Sequence, residues 1–112
     1  MEELLLEVAR TARREQAVAN QPLTNGLELL VYPLDHGLLV GLGFTGELAR
    51  DVSMDDVLRK RSADIQRYGA WQAAVFADGS CYVVRRVINA NVDRDDPILT
   101  EDQLLAAQEL LT

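Results

Sequence analysis

Residues 70–89 read AWQAAVFADGSCYVVRRVIN. Two runs rich in β-branched and aromatic residues flank Asp78-Gly79. An Asp-Gly pair in that position predicts a two-residue type I′ hairpin turn, in which both central residues need a positive φ. Such a turn pairs residue 77 with 80, 76 with 81 and 75 with 82. One face of the hairpin then carries Ala74, Phe76, Cys81, Val83 and Val87. The other carries Trp71, Ala73, Val75, Tyr82, Val84 and Ile88. Both faces are apolar, whereas an antiparallel sheet with one solvated side is polar on that side. Either the terminal helices sandwich the sheet, or another chain covers part of it.

The flanking segments fit around this hairpin. Before it, LELLVYPL, the loop DHG and LLVGLGFT (residues 27–45) predict a first hairpin, with Gly37 available for a positive φ. Leu27, Leu29 and Val31 share one of its faces, with Leu30 and Tyr32 on the other. Residues 2 to about 19 predict a helix, since Leu4, Leu5, Val8, Ala9 and Ala12 recur at helical spacing, and Pro22, Asn25 and Gly26 end it. Ser53, with Asp56 three residues on, predicts the N-cap of a second helix. Its apolar stripe is Met54, Val57, Leu58, Ile65 and Tyr68, and Gly69 ends it. Thr100 and Gln103 predict a capping box that opens a last helix bearing Leu104, Leu105, Ala107, Leu110 and Leu111. The expected fold class is α+β: one domain over residues 1–112, an antiparallel sheet built from two hairpins, and three helices. The order is α-β-β-α-β-β-α, or α-β-β-β-α-β-β-α if the glycines split LLVGLGFTGEL into two strands.

Composition restricts the function classes. A chain of 112 residues with a net charge of -7 forms one domain, and that charge argues against nucleic acid or an anionic membrane as partner. One cysteine rules out an internal disulfide framework or a cysteine-rich zinc site. Leu4-Leu5-Leu6, preceded by Glu2 and Glu3, is too short for a secretory leader, and no stretch is long and apolar enough to predict a membrane span.

Four features invite a chemical reading. Gly41-x-Gly43-x-x-Gly46 has the spacing of a dinucleotide fingerprint, which requires a parallel βαβ unit whose helix starts inside the glycine run. Here the cap falls later, at Ser53, and the next strand turns back at Asp78-Gly79. The glycines therefore read as places where a strand bends or a neighbour comes close. Asn91, Asp93, Asp95 and Asp102 fall at calcium-loop positions, but Asp96 stands where the loop needs glycine. An acidic loop before a capped helix is the simpler reading. His36 is the only histidine and lies in a turn without soft metal ligands. Cys81 reads as a small buried apolar residue. With no Ser-His-Asp or Cys-His set, no enzyme activity and no cofactor or metal are expected.

The small acidic chain, the element order and the stretch GAWQAAVFADGSCYVVRRV followed by LTEDQLLAAQELL resemble the class I chaperones of bacterial type III secretion systems. The resemblance implies a cytoplasmic bacterial homodimer, without cofactor, that holds the N-terminal segment of a secreted effector in an extended, secretion-competent state. With it come two expected surfaces. The dimer interface is placed on the second helix and second hairpin, at Leu58, Ile65, Trp71, Val75, Tyr82 and Val84. The client surface is placed on the first helix and first hairpin, at Leu5, Val8, Leu29, Val31 and Leu38. Two other functions fit the residues: a small structural or regulatory subunit with a permanent partner, and a ligand-binding protein or enzyme using Gly41–Gly46.

Overall fold

The computed structural model describes residues 1–88 and 90–112. Helix α1 spans Glu2–Glu15 and is followed by strand β1 (Ala19–Pro22), β2 (Leu27–Leu34) and β3 (Gly37–Phe44). Helix α2 (Met54–Ala63) and a single turn α3 (Ile65–Tyr68) precede β4 (Gln72–Val75), β5 (Cys81–Ile88) and α4 (Glu101–Leu111). The strands form one five-stranded antiparallel sheet in the order β1-β2-β3-β5-β4. The α+β class holds, with two differences from the sequence reading. The third strand before α2 is β1, from the segment expected to end the first helix, and the glycine-rich run is a single unbroken strand. The second helix is interrupted at Asp64, whose backbone leaves the helical region (φ -142, ψ 77) and whose side chain caps α3 by accepting from Arg67 N–H. Ile65, just past the break, and Leu58 in α2 are exposed, while Val57 enters the core.

The register of the β4–β5 hairpin differs from the expected one by one residue. Val75 opposes Cys81, Ala74 opposes Tyr82 and Ala73 opposes Val83. Gly79 has φ +89 but Asp78 does not share its sign, so the loop cannot be type I′. Gly79 N–H donates to Phe76 O and Phe76 N–H to Ser80 O, each at 2.9 Å, which is the three-residue loop with its glycine in the left-handed position. Asp78 Oδ1 accepts from Ser80 N–H at 2.9 Å, an Asx turn that favours this loop. A one-residue slip moves a strand's side chains to the other face. The facing of β5 is fixed by β3, so it is β4 that changes: Ala73 and Val75 join Cys81 and Val83 on the helix-covered face, while Ala74 shares the opposite face with Tyr82, Val84 and Ile88.

One face of the sheet makes the core. Leu29, Val31, Leu38, Val40, Leu42 and Val83 are fully buried there against Leu5, Ala9 and Ala12 of α1, Val57 of α2 and Leu104, Ala107 and Leu110 of α4. Trp71 is wholly buried as well, its indole N–H donating to Gln103 O at 3.1 Å. The expected caps are present: Ser53 accepts from Asp56 N–H, and Thr100 and Gln103 form the reciprocal box. Glu2 and Glu101 also cap one another's helices, each carboxylate accepting from the other residue's backbone N–H at 2.5 and 2.8 Å. Their charge suits both N-terminal dipole ends.

On the sheet's other face the glycines of β3 have a packing role. Tyr82 lies across Gly43, where a Cβ would meet the Tyr82 ring at 2.6 Å and Cys81 O at 2.2 Å. At Gly41 a Cβ would meet Val84 at 3.3 Å and Tyr82 at 3.5 Å. Phe76 stacks on Tyr82 with ring centroids 5.0 Å apart. Tyr82 is only 2% exposed although no helix covers it. Gly37 also differs from expectation. The turn is Asp35-His36, Gly37 opposes Leu34, and its φ is not positive. It is glycine because a Cβ would lie 2.2 Å from Val87 O.

Gly43→Ala should therefore lower the unfolding free energy by about 2 kcal/mol or more, from overpacking against backbone and ring. Gly46→Ala, with open space around it but φ +61, should lose only about 1 kcal/mol. Urea titration separates the two, and a Gly43→Ala protein as stable as wild type would contradict the placement of Tyr82.

Candidate functional site

α1 is the wall of the candidate site. Leu5, Leu6, Val8, Ala9 and Ala12 are buried, with Glu2 and Glu3 in the first turn and Arg13 and Arg14 in the last, a distribution that suits the helix dipole. Gln16 takes the left-handed conformation (φ 53) at the C-cap and turns the chain back along the helix. β1 then pairs with β2 from Ala19↔Val31 to Pro22↔Glu28.

β1 is an edge strand, and its hydrogen-bond phase follows from one contact. Leu23 N–H donates to Leu27 O at 2.7 Å, continuing the same register. In an antiparallel ladder bonded pairs alternate, so residues 19, 21 and 23 bond inward to β2. Asn20 and Pro22 then turn their backbone outward, leaving the Asn20 N–H and carbonyl without a backbone partner among the described residues, while the Pro22 carbonyl accepts from the Gln21 side-chain amide at 3.2 Å. Pro22 at an outward position blunts the edge, as is common for exposed strands.

Between this edge and α1 runs an unfilled groove. Its inner hollow, about 180 Å³, is lined by Leu4, Glu7, Val8 and Thr11 of the helix and Ala19, Asn20 and Gln21 of the strand. It continues into a more open, mostly apolar hollow of about 480 Å³ lined by Met1, Leu4, Pro22, Leu23 and Thr24. An open strand edge beside an apolar wall is the arrangement that takes up an extended peptide as an added strand. Sequence reading missed this site because ANQP, residues 19–22, carries no β pattern.

The basic side chains of α1 face elsewhere. Arg13 donates to Leu34 O at 2.7 Å and Gly37 O at 2.5 Å, tying the β2–β3 turn to the helix; it is not a solvated surface charge. Arg10 donates to Val92 O at 2.7 Å and to Asp95 Oδ1 at 3.0 Å. The acidic loop thus bonds to arginine at Asp95, while Asn91 Oδ1 accepts from Asp93 N–H. Among the described residues no three His, Cys, Asp or Glu side chains gather in a metal-binding arrangement, and no helix is long and apolar enough to cross a membrane.

The five side chains expected to bind a client, Leu5, Val8, Leu29, Val31 and Leu38, lie in the core, at 0 to 6% exposure. They are buried because β2 and β3 are central strands, flanked by β1 and β5 and covered by α1. Only Val8 reaches the groove, at its floor. The six expected interface residues are divided. Trp71 and Tyr82 are buried within the protomer, Val84 is half-buried on the open sheet face, and Leu58, Ile65 and Val75 are 50 to 62% exposed. Trp71 and Tyr82 are corrected for separate reasons: Trp71 fills the space under α4, and Tyr82 lies over the glycines of β3. Cys81 is buried, its thiol 3.7 Å from Ala49 O, and His36 is exposed in its turn. Gly41 and Gly43 sit mid-strand between antiparallel neighbours, so the glycine run is not part of a βα phosphate turn.

The site defines an α+β protein with an open edge strand beside an unfilled apolar groove. No family model and no curated protein matches the sequence. A chain in the crystal structure of the ExsC-ExsE complex shares the fold: TM-score 0.50, 15% identity, covering 96% of this chain and 84% of that chain.

Val31→Asp should unfold the domain, since an unpaired carboxylate at a fully buried position costs a large part of a small domain's stability. Circular dichroism checks this, and a folded Val31→Asp protein would restore a surface role for the residue. Tyr82 gives a second check. Burial first, then the Glu28 carboxylate, pushes its phenol up to about 12 from an ordinary 10.0. The unfolded chain ionises first, so the stabilisation is complete below about pH 10 and is lost as pH rises towards about 12. Melting temperature should fall more steeply over that window in wild type than in Tyr82→Phe; equal slopes would show a solvent-accessible phenol.

Proposed function

We propose that the protein is a non-catalytic chaperone that binds an extended segment of a client protein along β1, with client side chains seated in the α1–β1 groove. The observation that carries this reading is the groove itself. A strand edge with the outward N–H and carbonyl of Asn20 lies beside an unfilled wall of Leu4, Val8 and Leu23. Backbone bonds would supply much of the recognition and side-chain pockets the rest, which suits an unfolded client. The match in fold to a chain from a two-protein complex and the resemblance of the sequence to type III secretion chaperones support the same reading. On it, the client is the N-terminal segment of a secreted effector, held secretion-competent in the bacterial cytoplasm, and no cofactor takes part.

The reading includes a homodimer, through the other sheet edge. By the same alternation, the Phe76–Ser80 bond leaves Ala73 and Val75 of β4 turned outward, and Leu58, Ile65 and Val75 expose apolar side chains. A two-fold axis there would set like edge against like edge and close the assembly at two chains. A permanent structural partner at the same edge is the competing reading. The ligand-binding alternative at Gly41–Gly46 is disfavoured because Tyr82 occupies the space above those glycines.

Asn20→Pro tests the client site. It removes the outward donor but leaves the inward β1–β2 bonds. Segments selected from a displayed library of unstructured peptides should bind wild type and bind Asn20→Pro roughly tenfold more weakly, as the loss of a backbone bond within an added strand predicts. The melting temperature should not change. Equal binding by both proteins places the client elsewhere. For the dimer, light scattering should give twice the chain mass for wild type and a folded monomer for Leu58→Asp with Ile65→Asp; a monomeric wild type excludes it.

A further inference from the structure

The inference concerns which extended segments the groove accepts, and it rests on the proposed client site. The strand added to β1 has its side chains alternating between two faces. Ala19 and Gln21 oppose Val31 and Leu29, core residues on the helix side, so client residues level with them point towards α1. The client residue beside Leu23 meets the apolar end of the groove, formed by Met1, Leu4 and Leu23. The next residue on the same face, two positions along, comes level with Gln21 and meets Glu7.

Among the described residues Glu7 is the one charged side chain lining the groove. It is exposed and has no cation within 4.0 Å among the described residues. It lies on the groove side of α1. Leu4, one turn before it, and Thr11, one turn after it, are on the same helix face and line the same hollow with it. The arginines of α1 cannot neutralise it, since Arg10, Arg13 and Arg14 line a separate hollow with Val92 and Asp93. The geometry points to Glu7 as the residue that sets client specificity: the groove selects an extended segment with an apolar residue two positions from a lysine or arginine. The surrounding charge of -7 favours the same sign of client.

Synthetic extended peptides carrying leucine two residues from lysine, from serine or from glutamate test this by isothermal titration. The lysine peptide should bind wild type roughly fivefold tighter than the glutamate peptide, with serine between, as an ion pair at a partly shielded rim predicts. Glu7→Lys should reverse that order, and added salt should shrink the difference in both proteins. Equal affinities that Glu7→Lys leaves unchanged overturn the specificity assignment and leave the groove in place. Failure of every peptide to bind, or binding that Asn20→Pro does not weaken, overturns the groove and the specificity together.

Discussion

The turn at Ala77–Gly79 is the constraint on which the sheet depends. Gly79, at φ +89, closes a three-residue loop and sets Val75 opposite Cys81. That register puts Trp71 and Ala73 on the helix-covered face with Val83, while Tyr82, opposite Gly43, points to the outside, where a large ring would be exposed over an ordinary strand. It is not exposed because β3 carries Gly43 and Gly41 beneath it. The turn and the two glycines are therefore one solution. With a type I′ turn Trp71 and Ala73 would leave the face that Val83 shares with the helices, and with side chains at Gly41 and Gly43 the tyrosine would have no place to lie.

The same arrangement explains which surfaces remain for function. The β2–β3 hairpin is central, so Leu29, Val31, Leu38, Val40 and Leu42 on its helix side are used up inside the protomer. Tyr82 and Phe76 cover each other and the glycine floor, so the open sheet face contains less free apolar surface than its sequence suggests. Besides exposed Tyr32 and Ile88 on that face, the two edges are left, β1 beside α1 and β4 beside α2. They differ in kind: β1 faces an unfilled groove and is blunted by Pro22, while β4 has no proline and is flanked by exposed Leu58 and Val75. A groove beside an edge suits a flexible extended segment, whereas a flat edge with exposed aliphatics suits a folded neighbour.

The elements most legible in the sequence were those fixed by local chemistry. Ser53 with Asp56 and Thr100 with Gln103 mark their helix starts to the residue, because the capping bond is between neighbours. The break at Asp64 is also local, but Leu58, Ile65 and Tyr68 at helical spacing mask it. β1 was not legible since its four residues, ANQP, owe their strand to pairing with β2 rather than to propensity. The hairpin register was missed because Asp-Gly suits two loops of different length, and the Asx bond from Asp78 to Ser80 that favours the longer one leaves no distinct mark. The candidate site was the least legible part, since it lies between a helix and a strand whose proximity is a tertiary fact. Apolar residues alone could not show it, because burial had already claimed the most conspicuous ones.

Backbone amide exchange at Asn20, measured by NMR with and without a bound extended segment, tests the central claim most directly. In the free protein its N–H points outward and should exchange nearly as fast as an open chain; a client strand added to β1 should slow it by roughly a hundredfold. Binding that leaves Asn20 unprotected while slowing the outward amides of Ala73 or Val75 would move the client to β4 and contradict the account.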